Sequence, residues 1–146
     1  MHVAEILAKK GSDVVTVRPD DTIGAVVDLL ADRRFGALVV SSGDASIDGI
    51  ISERDIVRGL STVTNGLRDQ PVSSLMTSPV RTCVGTDGIG ELMEQMTEHR
   101  IRHLPVEEDG RLVGMISIGD VVKWRVTELE EEARHLEGYI SGAGYA

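Results

Sequence analysis

Two hydrophobic periods alternate along this chain. In residues 22–34, Ile23, Val26, Val27 and Leu30 stand three, one and three apart, and in 88–100 Ile89, Leu92, Met93 and Met96 repeat that spacing. Such spacing lays one apolar stripe along a helix. Ahead of each helix lies a short β-rich run, 13–17 and 79–84, ending in Pro19-Asp20-Asp21 or Gly85-Thr86-Asp87. Acids in those turns suit the positive end of the helix that follows. Behind each helix come two strands joined by a polar turn, 37–41 to 49–52 and 103–107 to 112–117. The second turn, Glu108-Asp109-Gly110, is a hairpin signal. A further helix closes each unit, from Arg54 to near Leu60 and from Asp120 onward. Residues 61–71, with Asn65-Gly66 and Pro71, read as a linker.

The pattern recurs because the chain is duplicated. A shift of 66 lays Val14-Val15-Thr16-Val17 on Val80-Arg81-Thr82-Cys83, Ile23-Gly24 on Ile89-Gly90, Arg34 on Arg100, Leu38 on Leu104 and Val40 on Val106. After one gap, a shift of 65 lays Gly49-Ile50-Ile51-Ser52 on Gly114-Met115-Ile116-Ser117, and Asp55 on Asp120. Across 14–40 and 47–58, 13 of 39 positions are identical, where average composition gives about 2 or 3. A copy of roughly 60 residues buries too little surface alone, so two copies packed face to face are expected. The expected fold is mixed α/β (α+β): two pseudo-symmetric β-α-β-β-α repeats, 1–66 and 67–125, packed sheet to sheet. A C-terminal helix and tail, 126–146, follow.

That last helix has no counterpart after the first copy. Val122, Val126, Leu129, Ala133, Leu136 and Ile140 fall at heptad spacing, with Glu128, Glu130, Glu131, Glu132 and Glu137 on other faces. The seam spans under three heptads, so packing against the sheet of its own or a partner subunit is expected rather than a free coiled coil. Gly142 to Ala146 is expected to fray.

Composition narrows the classes. Aromatic residues are only 3%, so the core must be aliphatic. A net charge of −9 argues against nonspecific nucleic-acid binding and against an anionic membrane surface. The single cysteine, Cys83, excludes an internal disulfide framework and matches Val17 in the other copy, which reads as a small buried hydrophobe. The histidines are scattered without a ligand pattern, so no metal site is expected. With no signal-like start and no run of about 20 apolar residues, a soluble, cytoplasmic protein is the expectation. No Walker loop or nucleophile elbow occurs, and the glycine-rich Gly85–Gly90 reads as a helix-start turn because its first copy is Pro19–Gly24.

Chemistry concentrates where a strand ends and a helix begins: Ser52-Glu53-Arg54-Asp55 and Ser117-Ile118-Gly119-Asp120. There the serine hydroxyl, the free N–H groups of the first helical turn and a carboxylate share one cleft. A carboxylate can accept from both hydroxyls of a ribose, while the helix start and a nearby arginine favour a phosphate. The plainer reading makes Ser52 and Ser117 helix N-caps and the aspartates first-turn acids; the two roles are compatible. Arg102 and His103 open a central strand, where they either reach an anionic phosphate or stand exposed at the strand end.

These motifs, with Arg100-Ile101-Arg102-His103-Leu104-Pro105-Val106 and Met76-Thr77, make the chain resemble the tandem cystathionine-β-synthase (CBS) domain pair, or Bateman module, over residues 3–125. The resemblance implies a regulatory, non-catalytic module that binds an adenine nucleotide (AMP, ADP, ATP or NAD(H), with S-adenosylmethionine also used in the family). Such a module senses energy or redox state, acts on a regulated protein in trans, and forms a homodimer, with no nucleic-acid or membrane partner. It also implies two clefts, each mixing residues of both copies. One holds Ser52, Arg54 and Asp55 with Thr77, Val80, Thr82, Arg102 and His103. The other holds Ser117 and Asp120 with Gly11, Val14, Thr16, Gly36 and Ala37, and is expected to be the poorer in positive charge. The alternative is a structural or interaction stress protein whose clefts stay empty.

Overall fold

The computed structural model describes residues 1–141, so the tail expected to fray, residues 142–146, lies outside the described residues. Helix α1 (Val3–Lys10) leads into β1 (Thr16–Val17), α2 (Ile23–Arg33), β2 (Ala37–Val40), β3 (Gly49–Ser52) and α3 (Glu53–Thr62). Two single 3-10 turns, Leu67–Asp69 and Val72–Ser74, precede α4 (Ile89–His99), β4 (His103–Glu108), β5 (Arg111–Ser117) and α5 (Ile118–Ser141).

The duplication is written into the backbone. Strand β1 runs parallel to β2, and β2 pairs antiparallel with β3, placing Ala37 opposite Ser52. In the second copy β4 and β5 are antiparallel with His103 opposite Ser117. The stripes of α2 and α4 face the cores as their spacing requires: Ile23, Val26, Leu30, Ile89, Leu92 and Met96 are all buried. Both helices end on an arginine in the left-handed region, Arg34 at φ 56° and Arg100 at φ 54°. Asp109 and Gly110, at φ 52° and 77°, make the tight hairpin turn between β4 and β5.

The run 79–84 is not a strand. Only Cys83 pairs, parallel with Val106, at the position that Val17 and Val40 hold in the first copy. Cys83 N–H donates to Pro105 O at 3.0 Å, and Glu107 N–H donates to Cys83 O at 2.9 Å. Pro79 has no N–H to offer a longer ladder.

Each core is completed by chain that precedes the other copy. The first cluster (Val17, Ile23, Val26, Leu30, Leu38, Val40, Ile51) takes in Leu67 and Val72. The second (Cys83, Ile89, Leu92, Met96, Leu104, Val106, Ile116, Val121) takes in Val3 and Ile6 of α1. Matching backbone bonds tie the two borrowed segments. Val72 N–H donates to Asp21 O and Ser73 N–H to Pro19 O, while Val3 N–H donates to Asp87 O and Ala4 N–H to Gly85 O, all at 2.8–2.9 Å. Burying Val3 and Ile6 fully contributes about 1.5–3 kcal/mol each.

Helix α5 starts at Ile118 and runs unbroken to Ser141. Val121 is buried, Trp124 packs on the second core, and the ammonium groups of Lys9 and Lys123 lie 4.6 and 4.9 Å from the Trp124 ring centre. The heptad seam, however, does not pack on its own sheet. Val122, Val126, Leu129, Leu136 and Ile140 are each 47–62% exposed, and Val57 and Leu60 of α3 are exposed as well. The stripe that meets the core is offset from the seam, through Val121 and Trp124.

Candidate functional site

Strand β3 passes into α3, and β5 into α5, without an intervening loop, so each serine is at once strand end and helix cap. Asp55 Oδ2 accepts from Ser52 N–H at 2.8 Å and from the Ser52 hydroxyl at 3.1 Å, and the hydroxyl in turn accepts from Asp55 N–H at 3.4 Å. The second copy repeats this at 2.9, 3.0 and 3.2 Å between Ser117 and Asp120. The capping reading therefore holds, and each carboxylate keeps one oxygen outside the cap.

What meets those carboxylates differs between the copies. Asp55 Oδ1 accepts from the Thr77 hydroxyl at 3.1 Å, and Asp55 is only 6% exposed. Asp120 is met by a cation: Lys10 Nζ donates to Asp120 Oδ2 at 2.6 Å and to Met115 O at 3.0 Å. Among the described residues nothing donates to Asp120 Oδ1, which leaves it able to accept from a ribose hydroxyl. Burial pushes the Asp120 carboxyl up. The bonds from Lys10 and Ser117 outweigh that and hold it below its usual 3.8.

Beside Asp120 a cavity of about 300 Å³ is lined by Lys10, Asp13, Val14, Arg34, Gly36, Ala37, His103 and Ser117, among others. A wider recess of about 460 Å³ adjoins it, sharing Asp13 and Val14 and adding Thr16, Arg18 and Ser41. Of the residues expected in the Asp120 cleft, Val14, Gly36, Ala37 and Ser117 line the cavity and Thr16 the recess, while Asp120 meets the cavity through its bonds to the lining residues Lys10 and Ser117. Gly11 caps α1 directly after Lys10.

In the other cleft Ser52, Asp55 and Thr77 come together, but Arg54 turns away to donate to Arg100 O at 3.3 Å. Val80 and Thr82 are half-buried and Arg102 is exposed. His103 stands elsewhere than expected. Its ring lies against Gly36, where an added Cβ would come 2.9 Å from His103 Cε1, and it faces the Asp120 cavity. Burial pushes its imidazole below the ordinary 6.5, with Glu53 and Asp120 opposing. The Asp120 cavity also carries more cationic groups than its expected residues supplied, since Lys10 and Arg34 line it, with Asp13 beside them. Lys10 arrives on α1, an element the hydrophobic periods leave out. Extending the shift of 66 upstream would have flagged it, because it lays Lys10-Gly11 on Met76-Thr77.

This arrangement, a strand-to-helix serine and aspartate repeated in each of two duplicated modules, defines a tandem module pair. The CBS domain model matches residues 3–62 and 72–127, and the chain belongs to that family. It is similar to a CBS-domain containing protein of Agrobacterium tumefaciens, with 46% identity and a TM-score of 0.82 over 86% of this chain and 99% of that one. The mitochondrial CBS domain-containing protein CBSX3 of Arabidopsis thaliana is 34% identical over 98% of this chain and 73% of its own length. A CBS domain protein of Pyrobaculum aerophilum, solved in complex with AMP, is 32% identical with a TM-score of 0.71, covering 82% of this chain and 89% of that one. Among the described residues no helix is long and apolar enough to cross a membrane.

Proposed function

We propose that this chain is a regulatory module that binds an adenine nucleotide in the Asp120 cleft and signals occupancy to a regulated protein in trans. One observation carries the reading: a cavity of ligand size sits between the two copies, lined by Lys10 and Ser117, which both bond Asp120, and by Arg34 and His103. The AMP complex of the Pyrobaculum relative supports the ligand class. A recess of about 460 Å³ adjoins the cavity, which keeps NAD(H) among the ligands to test. The reading is of binding without catalysis, with the Ser117 hydroxyl engaged as donor and acceptor in the Asp120 cap. The exposed apolar faces of α3 and α5 suit a homodimer.

The test is mass spectrometry of whatever ligand co-purifies, followed by calorimetric titration of AMP, ADP, ATP and NADH. Asp120→Ala is expected to weaken binding by about ten- to a hundredfold, the loss of hydrogen bonds to a charged group. No adenine-containing ligand and no binding heat with any of the four would favour instead an interaction protein whose clefts stay empty.

A further inference from the structure

The two clefts are built on one plan but clamp their aspartates with opposite chemistry. Asp55 is held by a neutral hydroxyl from Thr77, whereas Asp120 is held by the ammonium of Lys10. Lys10 and Thr77 stand one position apart in the duplication, since the shift of 66 lays Lys10-Gly11 on Met76-Thr77. Backbone and side chain of Lys10 differ in freedom. Its helix is anchored through buried Val3 and Ile6, while its side chain is 34% exposed and lines the cavity.

A ligand whose ribose hydroxyls take Asp120 must displace that ammonium or share the carboxylate with it. Displacement costs a charge-assisted hydrogen bond unless another anion receives the lysine. A 5′-phosphate is such an anion. A neutral nucleoside supplies none, and a sulfonium adds a cation beside Lys10 and Arg34.

Resting on the adenine-nucleotide reading above, we infer that Lys10 is the specificity-determining residue of the Asp120 cleft. It holds Asp120 until ribose hydroxyls replace it, then passes to the ligand's phosphate. The cleft therefore selects phosphorylated adenosines over adenosine and over S-adenosylmethionine.

The experiment is calorimetric titration of the full chain with AMP, adenosine and S-adenosylmethionine, using wild type, Lys10→Met, Lys10→Gln and Lys10→Arg. Methionine is the residue at the matched position of the other copy, and glutamine keeps a donor for Met115 O without the charge. Wild type is expected to bind AMP about ten- to a hundredfold more tightly than adenosine, with S-adenosylmethionine no better than adenosine. Lys10→Met and Lys10→Gln should lose about tenfold for AMP while adenosine holds or gains, and Lys10→Arg should restore the preference. A general loss of folding would lower both ligands together, so the ratio is the decisive quantity. If wild type binds AMP but the ratio survives both neutral variants, or S-adenosylmethionine binds as tightly as AMP, this inference falls and the nucleotide reading stands. If wild type binds neither AMP nor adenosine, both fall.

Discussion

Truncating Ile6 to alanine tests whether the N-terminal helix serves the far module. Ile6 is 0% exposed within the cluster of Leu92, Leu104, Ile116 and Val121. Its neighbour Leu7 lies so close over β5 that a Cβ on Gly114 would come 2.7 Å from Leu7 Cδ2. With α1 already flat on the strand, the site has little room to collapse. Removing three carbons forfeits about 2.4 kcal/mol of transfer energy at about 0.8 kcal/mol per methylene. The residual cavity brings the expected cost of Ile6→Ala to about 3–4 kcal/mol, within the range for such truncations. The loss should fall on the second module. Hydrogen exchange followed by mass spectrometry should show amides of α4, β4 and β5 losing about a hundredfold or more of protection, with β1–β3 affected far less. Val72→Ala is the reciprocal variant, since Val72 is 0% exposed in the first core. It should cost about 2–3 kcal/mol and loosen β1–β3. A urea-derived cost for Ile6→Ala below about 1 kcal/mol, or exchange that rises first in residues 17–51, would refute the exchanged-core argument.

Asp55→Ala strands the Ser52 N–H and the hydroxyls of Ser52 and Thr77, so it should lower stability by about 2–3 kcal/mol in urea titration, with Asp55→Asn milder. A cost under about 0.5 kcal/mol would show that the Asp55 network contributes little. The Cys83 thiol is pushed up to about 12 by burial and the nearby acids Asp87 and Glu107. A raised folded value means the stabilisation is full below the unfolded value near 9 and is lost as pH rises through 12. The native protein should therefore resist thiol alkylation at about pH 8 and react once unfolded, and fast native labelling would contradict this. For assembly, sedimentation equilibrium should give twice the chain mass, and Val126→Glu or Leu129→Glu in the exposed seam should shift it toward monomer. A wild-type monomer at micromolar concentration would end the dimer reading.

The elements legible in the sequence are those whose signal is local or repeated. The stripes of α2 and α4, the Asp109-Gly110 turn and the serine-to-aspartate caps all carry their cause within a few residues. Duplication then supplied the fold, because two weak copies reinforce each other. Helix α1 escaped because its apolar face is two buried residues on eight, and its stabilising surface lies on β5, about a hundred residues away. The same distance hid Lys10, and the charge it brings, from the cleft it lines. His103 was legible as a strand-entry residue, but which cleft it faces depends on how Gly36 of the other sheet lets its ring approach. The seam of α5 was legible as a pattern, while its exposure follows from Val121 and Trp124 taking the core side.

The exchanged segments also impose an order on synthesis. The first core needs Leu67 and Val72, which emerge soon after β3. Helix α1 leaves the ribosome before any of its partners, and the last of them, Ile116 and Val121, follow more than a hundred residues later. At translation rates of about 5–20 residues per second, that interval is on the order of ten seconds. Through it Val3, Ile6 and Leu7 wait for the surface that buries them, while every buried residue of the first core lies within 17–72. The second module can close only when α1 meets β5 and the start of α5, so the first core can form before the second.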